Sequence, residues 1–305
     1  MAIQSMFDLQ QEENNADRMA YIDFKLRFTG SINRLDLTHM FGLKEAAASK
    51  MMKAYSEMRP GNMDYDRRER ANTILRETFH PLLDIDAEIA LGMLANGFNK
   101  NKLLNTPEIS YYRLGRIRNQ LNIRNVERIT RAISGEYSIT CAYISKSSKD
   151  HNKRELLPLN VIFDGKTWIF RAFDIKDKKF KNFNFARAKD VEENIHRKIK
   201  PNEKLSEDKA WITEIPLLLV PHPKLNSHQK QALINDFAMK DEKLIISEKA
   251  ALIWILNRIW NVDTRKKSQI DSDKRSENTF NFWLSNKDMV EAVIDNLELN
   301  YELNI

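Results

Sequence analysis

From residue 17 to 28 the chain sets Met19, Ala20, Ile22, Phe24, Leu26 and Phe28 at spacings that mix helical and alternating periods. The length of the run and the Gly30 that follows favour a helix. Asn33 is placed to cap a short second helix that ends near Phe41, with Leu35, Leu37 and Met40 on its apolar side and Gly42 as its stop. A third helix is predicted over 44–58, rich in alanine and methionine, and Pro60-Gly61-Asn62 closes it. Strand-like stretches at 63–66 and 73–75 flank Arg67, Arg68 and Arg70, the pattern of a two-stranded ribbon with a basic tip. A connecting helix is expected over 84–98, and the polar tract 99–107 reads as a boundary.

A helical pattern over 123–133 precedes alternating runs at 138–145, 156–163, 167–173 and 180–185, spaced as a small antiparallel sheet. Asp164-Gly165 signals a hairpin whose type I′ turn needs positive φ at both central residues, and 176–179 is a second turn. Beyond it the pattern predicts a strand over 215–220, a helix over 227–237, an apolar helix over 247–260, a polar loop over 264–279 and a last helix over 287–297. The chain is therefore α+β and multidomain. No stretch repeats at a fixed period.

Composition narrows the chemistry. The 305 residues carry 49 Lys+Arg against 43 Asp+Glu, a formal charge of +6, and 42% are apolar, enough for two or three ordinary cores. No apolar window approaches a bilayer span, and the polar, acidic first sixteen residues lack the pattern of an export signal, so a cytoplasmic protein is expected. The single cysteine, Cys141, lies between apolar residues and reads as core. The six histidines are scattered, no Gly-x-Ser-x-Gly elbow surrounds the serines, and Asp164 with Lys166 fits a tight turn better than a nuclease pair. No catalytic residue, metal or cofactor is expected.

Nucleic-acid binding has a concrete basis. The first 80 residues present helix, helix, glycine turn, helix, the order in which the last helix enters a major groove. With Ala46, Ala47, Met51 and Ala54 turned inward, Lys44, Ser49, Lys50 and Lys53 point outward, the lysines to phosphates and Ser49 with Lys50 to base edges. Asn33 and Arg34, at the start of the second helix, and the tip residues Arg67, Arg68 and Arg70 complete the expected DNA-binding set. In the sheet region Arg154, Arg171 and Arg187 lie among Tyr143, Trp168, Phe170 and Phe180, which suits either an anion or nucleotide pocket or a set of surface ion pairs.

Four blocks of residues carry a family resemblance. The first is Arg18-Met19-Ala20-Tyr21-Ile22-Asp23-Phe24 with Gly30-Ser31-Ile32-Asn33-Arg34-Leu35-Asp36-Leu37 and Phe41-Gly42. The second is Pro60-Gly61-Asn62-Met63-Asp64-Tyr65-Asp66. The third runs from Tyr143 through Ser145, Ser147, Arg154 and Pro158 to Phe163-Asp164-Gly165, Trp168-Ile169-Phe170-Arg171-Ala172-Phe173, Phe180 and Arg187. The fourth is Pro221-His222-Pro223-Lys224-Leu225 with Gln229 and Asp236-Phe237-Ala238-Met239. Together they resemble the WYL-domain transcriptional regulators, in particular the repressors that accompany bacterial anti-phage defence systems such as BREX and CBASS. The naming triplet reads Trp168-Ile169-Phe170, keeping the tryptophan only.

The resemblance implies an N-terminal winged helix-turn-helix, a central SH3-like small β-barrel (the WYL domain) and a C-terminal α/β dimerisation extension. The expected boundaries are 1–83 for the winged module, 84–134 for a helical linker, 135–200 for the WYL domain and 201–305 for the extension. The implied ligand-binding set is Tyr143, Ser145, Ser147, Arg154, Trp168, Arg171, Phe180 and Arg187. The expected function is a homodimeric, sequence-specific regulator of a defence operon, more a repressor than an activator. It would bind an inverted-repeat operator in double-stranded DNA and respond to a nucleotide or oligonucleotide effector, with no membrane partner. Two-fold symmetry supports the dimer, because one winged module buries too little surface for operator-grade affinity. An oligonucleotide-sensing adaptor and a nucleic-acid-processing accessory are the alternatives.

Overall fold

The structure is a computed structural model that describes residues 3–104, 120–144, 153–273 and 279–299. It forms two compact units, Met1–Ile199 and Lys200–Ile305. The first opens with helices α1 (Met6–Glu12) and α2 (Ala16–Thr29), the second closed by Gly30 in the left-handed region. A two-residue strand β1 (Ser31–Ile32) leads into α3 (Arg34–Phe41). Asn33 caps α3 through a reciprocal box: its side chain accepts from Asp36 N at 3.1 Å, and Asp36 Oδ2 accepts from Asn33 N at 2.8 Å. Gly42, at φ 66°, turns the chain into α4 (Glu45–Met58).

Strands β2 (Met63–Asp66) and β3 (Ala71–Ile74) follow, and β3 lies between β1 and β2 in an antiparallel three-stranded sheet. The two-stranded ribbon expected from sequence thus gains a third, very short strand. Helix α5 (Ala87–Asn96) and the short α6 (Lys100–Leu104) come next, α6 inside the stretch that the sequence pattern marks as a boundary. Helix α7 (Ile123–Gly135) packs on α2 and on the sheet that follows it.

That sheet comprises β4 (Tyr137–Tyr143), β5 (Lys153–Phe163), β6 (Trp168–Asp174), β7 (Lys179–Asn184) and β8 (Ala188–Lys198), ordered β7-β6-β5-β4-β8 and antiparallel throughout. The Asp164-Gly165 hairpin is present, but only Gly165 has positive φ. The connection spans 164–167, and Asp164 Oδ1 accepts from Lys166 N at 2.8 Å and from Thr167 N at 2.5 Å, so an Asx-type turn replaces the expected type I′ centre. One apolar cluster runs from Met6 and Leu9 through α2, α4 and α7 to Phe170, Phe183 and Val191.

The second unit holds α8 (Lys209–Ile212), β9 (Glu214–Pro221), α9 (Ser227–Asp236), β10 (Leu244–Lys249), α10 (Ile253–Ile259), β11 (Val262–Asp263), α11 (Lys267–Ser272), β12 (Phe282–Leu284) and α12 (Lys287–Asn296). The strands order β10-β9-β12-β11, with β11 and β12 parallel and the other pairs antiparallel. The apolar helix expected over 247–260 is instead the end of β10, a 3-10 turn at Ala250–Leu252 and the shorter α10. Its Ile253 and Ile255 are buried, Ile253 in a core with Leu217, Leu219, Phe282 and Leu284.

Candidate nucleic-acid interface

Helix α4 is positioned by what it buries. Ala48, Met51, Met52 and Tyr55 form its inner face, at helical spacing. Each large side chain buried this way contributes roughly 1.5–3 kcal/mol. The face expected from sequence is rotated relative to this one: of its four residues only Met51 is buried, Ala46 is exposed, and Ala47 and Ala54 are half-buried. Tyr55 decides the rotation, since turning it inward removes far more apolar area from water than an alanine does. In α3 only Leu37 is buried, while Leu35 and Met40 are exposed.

Lys44, Ser49, Lys50 and Lys53 are exposed on α4 or at its start. Lys53 shares its charge with Glu57 at 3.7 Å. Arg34 is exposed and lies 3.8 Å from Glu45, and Asn33 is committed to its cap. At the wing tip Asp66 Oδ1 accepts from Arg68 N at 2.7 Å and Glu69 N at 3.3 Å, and Arg70 adopts φ 51° to re-enter β3. Arg67, Arg68 and Arg70 are all exposed. Among the described residues, Lys44, Lys50, Arg67, Arg68 and Arg70 take part in no ion pair, which leaves their charge available to phosphates.

A buried polar knot joins the winged region to the five-stranded sheet. Glu193 of β8 accepts from Arg131 Nη2 of α7 at 2.6 Å, from Tyr137 Oη of β4 at 2.5 Å and from Arg76 Nε at 3.3 Å, two residues past β3. Arg131 Nη1 reaches back to Arg27 O of α2 at 2.9 Å, and Arg27 Nε pairs with Glu127 of α7 at 2.6 Å. Burial pushes the Glu193 carboxyl up, but the hydrogen bonds and charges of Arg131, Tyr137 and Arg76 outweigh it and hold the group below the usual glutamate range. The Tyr137 hydroxyl is pushed up to about 12 by burial and by Glu193.

The sheet distributes the expected ligand set over both of its faces. Strand register places Tyr143, Arg154 and Trp168 on the face that packs into the core, and Arg171 with Phe180 on the other. Tyr143 Oη accepts from Asn184 N at 2.9 Å and is hydrogen-bonded by Arg187; burial raises its pKa nonetheless. Arg154 Nη1 lies 3.2 Å from Asp174 and 3.9 Å from Asp177, so an anion there competes with two carboxylates. Lys181 adds its charge to the same two acids. Trp168 stacks tilted on Phe163 at 4.7 Å, and Phe180 meets Phe173 edge-on at 5.0 Å. Arg171 Nη1 donates to Asn182 Oδ1 at 3.1 Å across the β6–β7 pair. Ser145 and Ser147 lie outside the described residues.

Sequence reasoning does not find Arg27, Arg131 and Glu193. Two arginines inside amphipathic helices look like solvated charges, and Glu193 sits in β8, whose Lys189, Asp190, Glu192, Glu193, His196 and Arg197 hide the strand. The available signal is Val191 between charged neighbours, too little for a strand of 11 residues.

Three consecutive stretches of the chain match known domain families. The winged helix-turn-helix domain of the BrxR transcriptional regulators matches residues 14–94, the WYL domain matches 124–193, and the C-terminal dimerization domain of BrxR matches 214–290. Proteins described as the DNA-binding transcriptional repressor CapW are similar across nearly the whole chain. The one from Pseudomonas aeruginosa is 28% identical over 91% of this chain and 91% of its own, and that from Escherichia coli (strain KTE188) is 27% identical over the same shares. The one from Stenotrophomonas maltophilia is 26% identical over 84% of this chain and 86% of its own.

Proposed function

Because this chain is a WYL-domain transcriptional regulator, built from the BrxR winged helix-turn-helix, a WYL domain and the BrxR C-terminal dimerization domain, we propose that it is a homodimeric repressor of a defence operon. The observation that carries the reading is the exposed cationic set Lys44, Lys50, Arg67, Arg68 and Arg70, without an ion pair among the described residues and held on a buried scaffold. Helix α4 enters the major groove with Ser49 and Lys50 at base edges, and Arg67, Arg68 and Arg70 follow the adjacent backbone. The CapW relatives, each described as a DNA-binding transcriptional repressor, favour repression over activation.

The second half of the proposal is regulation. A nucleotide or short oligonucleotide binds the five-stranded sheet and favours one arrangement of the winged domains over another; equal affinity for both would shift nothing. The Glu193 knot supports this, since it bonds a strand of the sensor sheet to α7 and to the root of the wing. Footprinting on the DNA upstream of its own gene tests the function. Protection of an inverted repeat with half-sites about one helical turn apart, or a multiple of it, is expected, with transcription rising when the gene is removed. A uniform footprint without a repeat, or falling transcription, contradicts the reading.

A further inference from the structure

We propose that Arg76 is a positioning residue for the wing: it ties the root of the β2–β3 ribbon to the five-stranded sheet, so that the sheet sets where Arg67, Arg68 and Arg70 point. The inference rests on the DNA-binding reading above and names the residue through which the sheet acts on it. Strands β2 and β3 have four residues each, and β1 has two. At about 3.4 Å per residue the ribbon reaches roughly 13 Å from root to tip, so a tilt of about 10° at the root moves its arginines by about 2 Å. A hydrogen bond to a phosphate is lost over that distance.

Two backbone bonds close the root: Ile74 N donates to Gly30 O at 2.9 Å, and Leu75 N to Asn62 O at 3.0 Å. The next residue reaches out of the winged region. Arg76 Nε donates to Glu193 Oε1 of β8 at 3.3 Å, and its Nη2 donates to Tyr137 Oη of β4 at 3.3 Å. The Tyr137 hydroxyl in turn donates to Glu193 Oε1 at 2.5 Å.

The two arginines on Glu193 differ in how firmly they are held. Arg131 clamps the carboxylate with Nε at 3.1 Å and Nη2 at 2.6 Å, and the side chains of that pair are only 7% and 9% exposed. The same arginine backs Gly30, where an added Cβ would lie 3.7 Å from Arg131 Cδ. The Arg76 side chain is 37% exposed, so its bonds exchange with water at little cost. Arg131 is therefore the pivot and Arg76 the adjustable tie. With Nε and Nη2 turned to the sheet, Arg76 acts on DNA through the tip arginines and not as a phosphate ligand.

Anisotropy titrations of the DNA upstream of its own gene with the full chain test this, at about 50 mM salt, where weakened proteins still bind. Arg76→Ala should bind about 10-fold more weakly with an unchanged circular dichroism spectrum, and Tyr137→Phe, which removes no charge, about 3-fold more weakly. Arg76→Lys should recover part of the loss. In an Arg67→Ala/Arg68→Ala/Arg70→Gly background, with glycine chosen for the positive φ of Arg70, adding Arg76→Ala should change the affinity by less than about 2-fold. An equal loss in both backgrounds would make Arg76 a direct phosphate contact and overturn the proposal. Wild-type affinity in both Arg76→Ala and Tyr137→Phe, with only stability lowered, would overturn it too while leaving the repressor reading standing. Should Arg76→Ala fail to fold, Tyr137→Phe decides. A wild-type chain that does not bind this DNA contradicts the repressor reading itself.

Discussion

Tyr55 donates its hydroxyl to Asp23 Oδ1 at 2.7 Å, and both side chains are wholly buried. The same oxygen accepts from Leu82 N at 3.0 Å, and Asn62 Nδ2 donates to Tyr55 Oη at 2.9 Å and to His80 O at 2.9 Å. One bonded chain therefore fixes α4 to α2, to the entry of the wing and to the segment that leaves it. Asp23 Oδ2 has no partner among the described residues. Burial raises the Asp23 pKa against the opposing pull of Tyr55, Leu82 and Arg27, which favours the neutral acid.

Tyr55→Phe keeps the ring and deletes the bond. Unfolding free energy in urea should fall by about 1–3 kcal/mol, because Asp23 and Asn62 each lose a buried partner. Operator affinity should fall as well, since α4 is no longer tied to α2 at this residue. Wild-type stability in this variant would show that packing alone seats the helix.

Glu193→Gln should leave buried Arg131 with Glu127, at 4.0 Å, as its counter-charge and cost about 3 kcal/mol, the low end for breaking a buried pair because that carboxylate remains and Arg76 is partly exposed. The contribution of the native carboxylate has a defined sign. Its folded pKa lies below the ordinary glutamate value, so the stabilisation is complete above that value and is lost as pH falls through the folded one. Urea titrations at neutral and acid pH should show wild type and variant converging in acid; a constant gap would remove Glu193 as the source.

His222 should make the second unit acid-sensitive at a higher pH. Its Nε2 faces Asp263 at 3.0 Å and its Nδ1 accepts from Lys224 N at 3.3 Å, which requires the neutral ring. Burial lowers its pKa and outweighs the raising effect of Asp263, with Arg265 and Lys224 adding to the lowering. Below the unfolded value of 6.5 the unfolded chain gains a proton that the folded ring resists, so stability drops as pH falls from there toward the folded pKa. Thermal unfolding between pH 7.5 and 5 should show this slope in wild type and a shallower one in His222→Gln. Equal slopes would contradict the assignment.

Cys141 is buried in β4, and burial pushes its thiol up to about 12. A thiol reagent at pH 8 should label it only as fast as the chain opens. Rapid stoichiometric labelling of the native protein would contradict its place in the core.

Local chemistry makes the winged half legible. Asn33 announces a cap, Gly42 a turn, Pro60-Gly61-Asn62 a stop, and the arginines between two strand-like runs a tip. Each depends on neighbours within a few residues. The parts that differ from expectation depend on distant partners. Tyr55 sets the rotation of α4 through Asp23, 32 positions away; β8 is a strand because β4 pairs with it; and Ser247 belongs to β10 because Pro216 lies opposite. In the five-stranded sheet, the residue types point to Arg154 and Arg171, but only strand register shows that they occupy opposite faces and that Asp174 already holds Arg154.

In the proposed complex Lys50 and the wing tip together hold duplex DNA. The direct measurement is the affinity of the Lys50→Glu/Arg68→Glu double variant for the DNA upstream of its own gene, titrated from about 50 to 200 mM salt. The variant should fold and dimerise as wild type does, bind about 100-fold more weakly or worse, and show a log–log salt slope shallower by about 2, because each of the two subunits then loses the phosphate contact of Arg68 while Lys50 is lost from the base edges. Wild-type affinity with an unchanged slope would contradict the account.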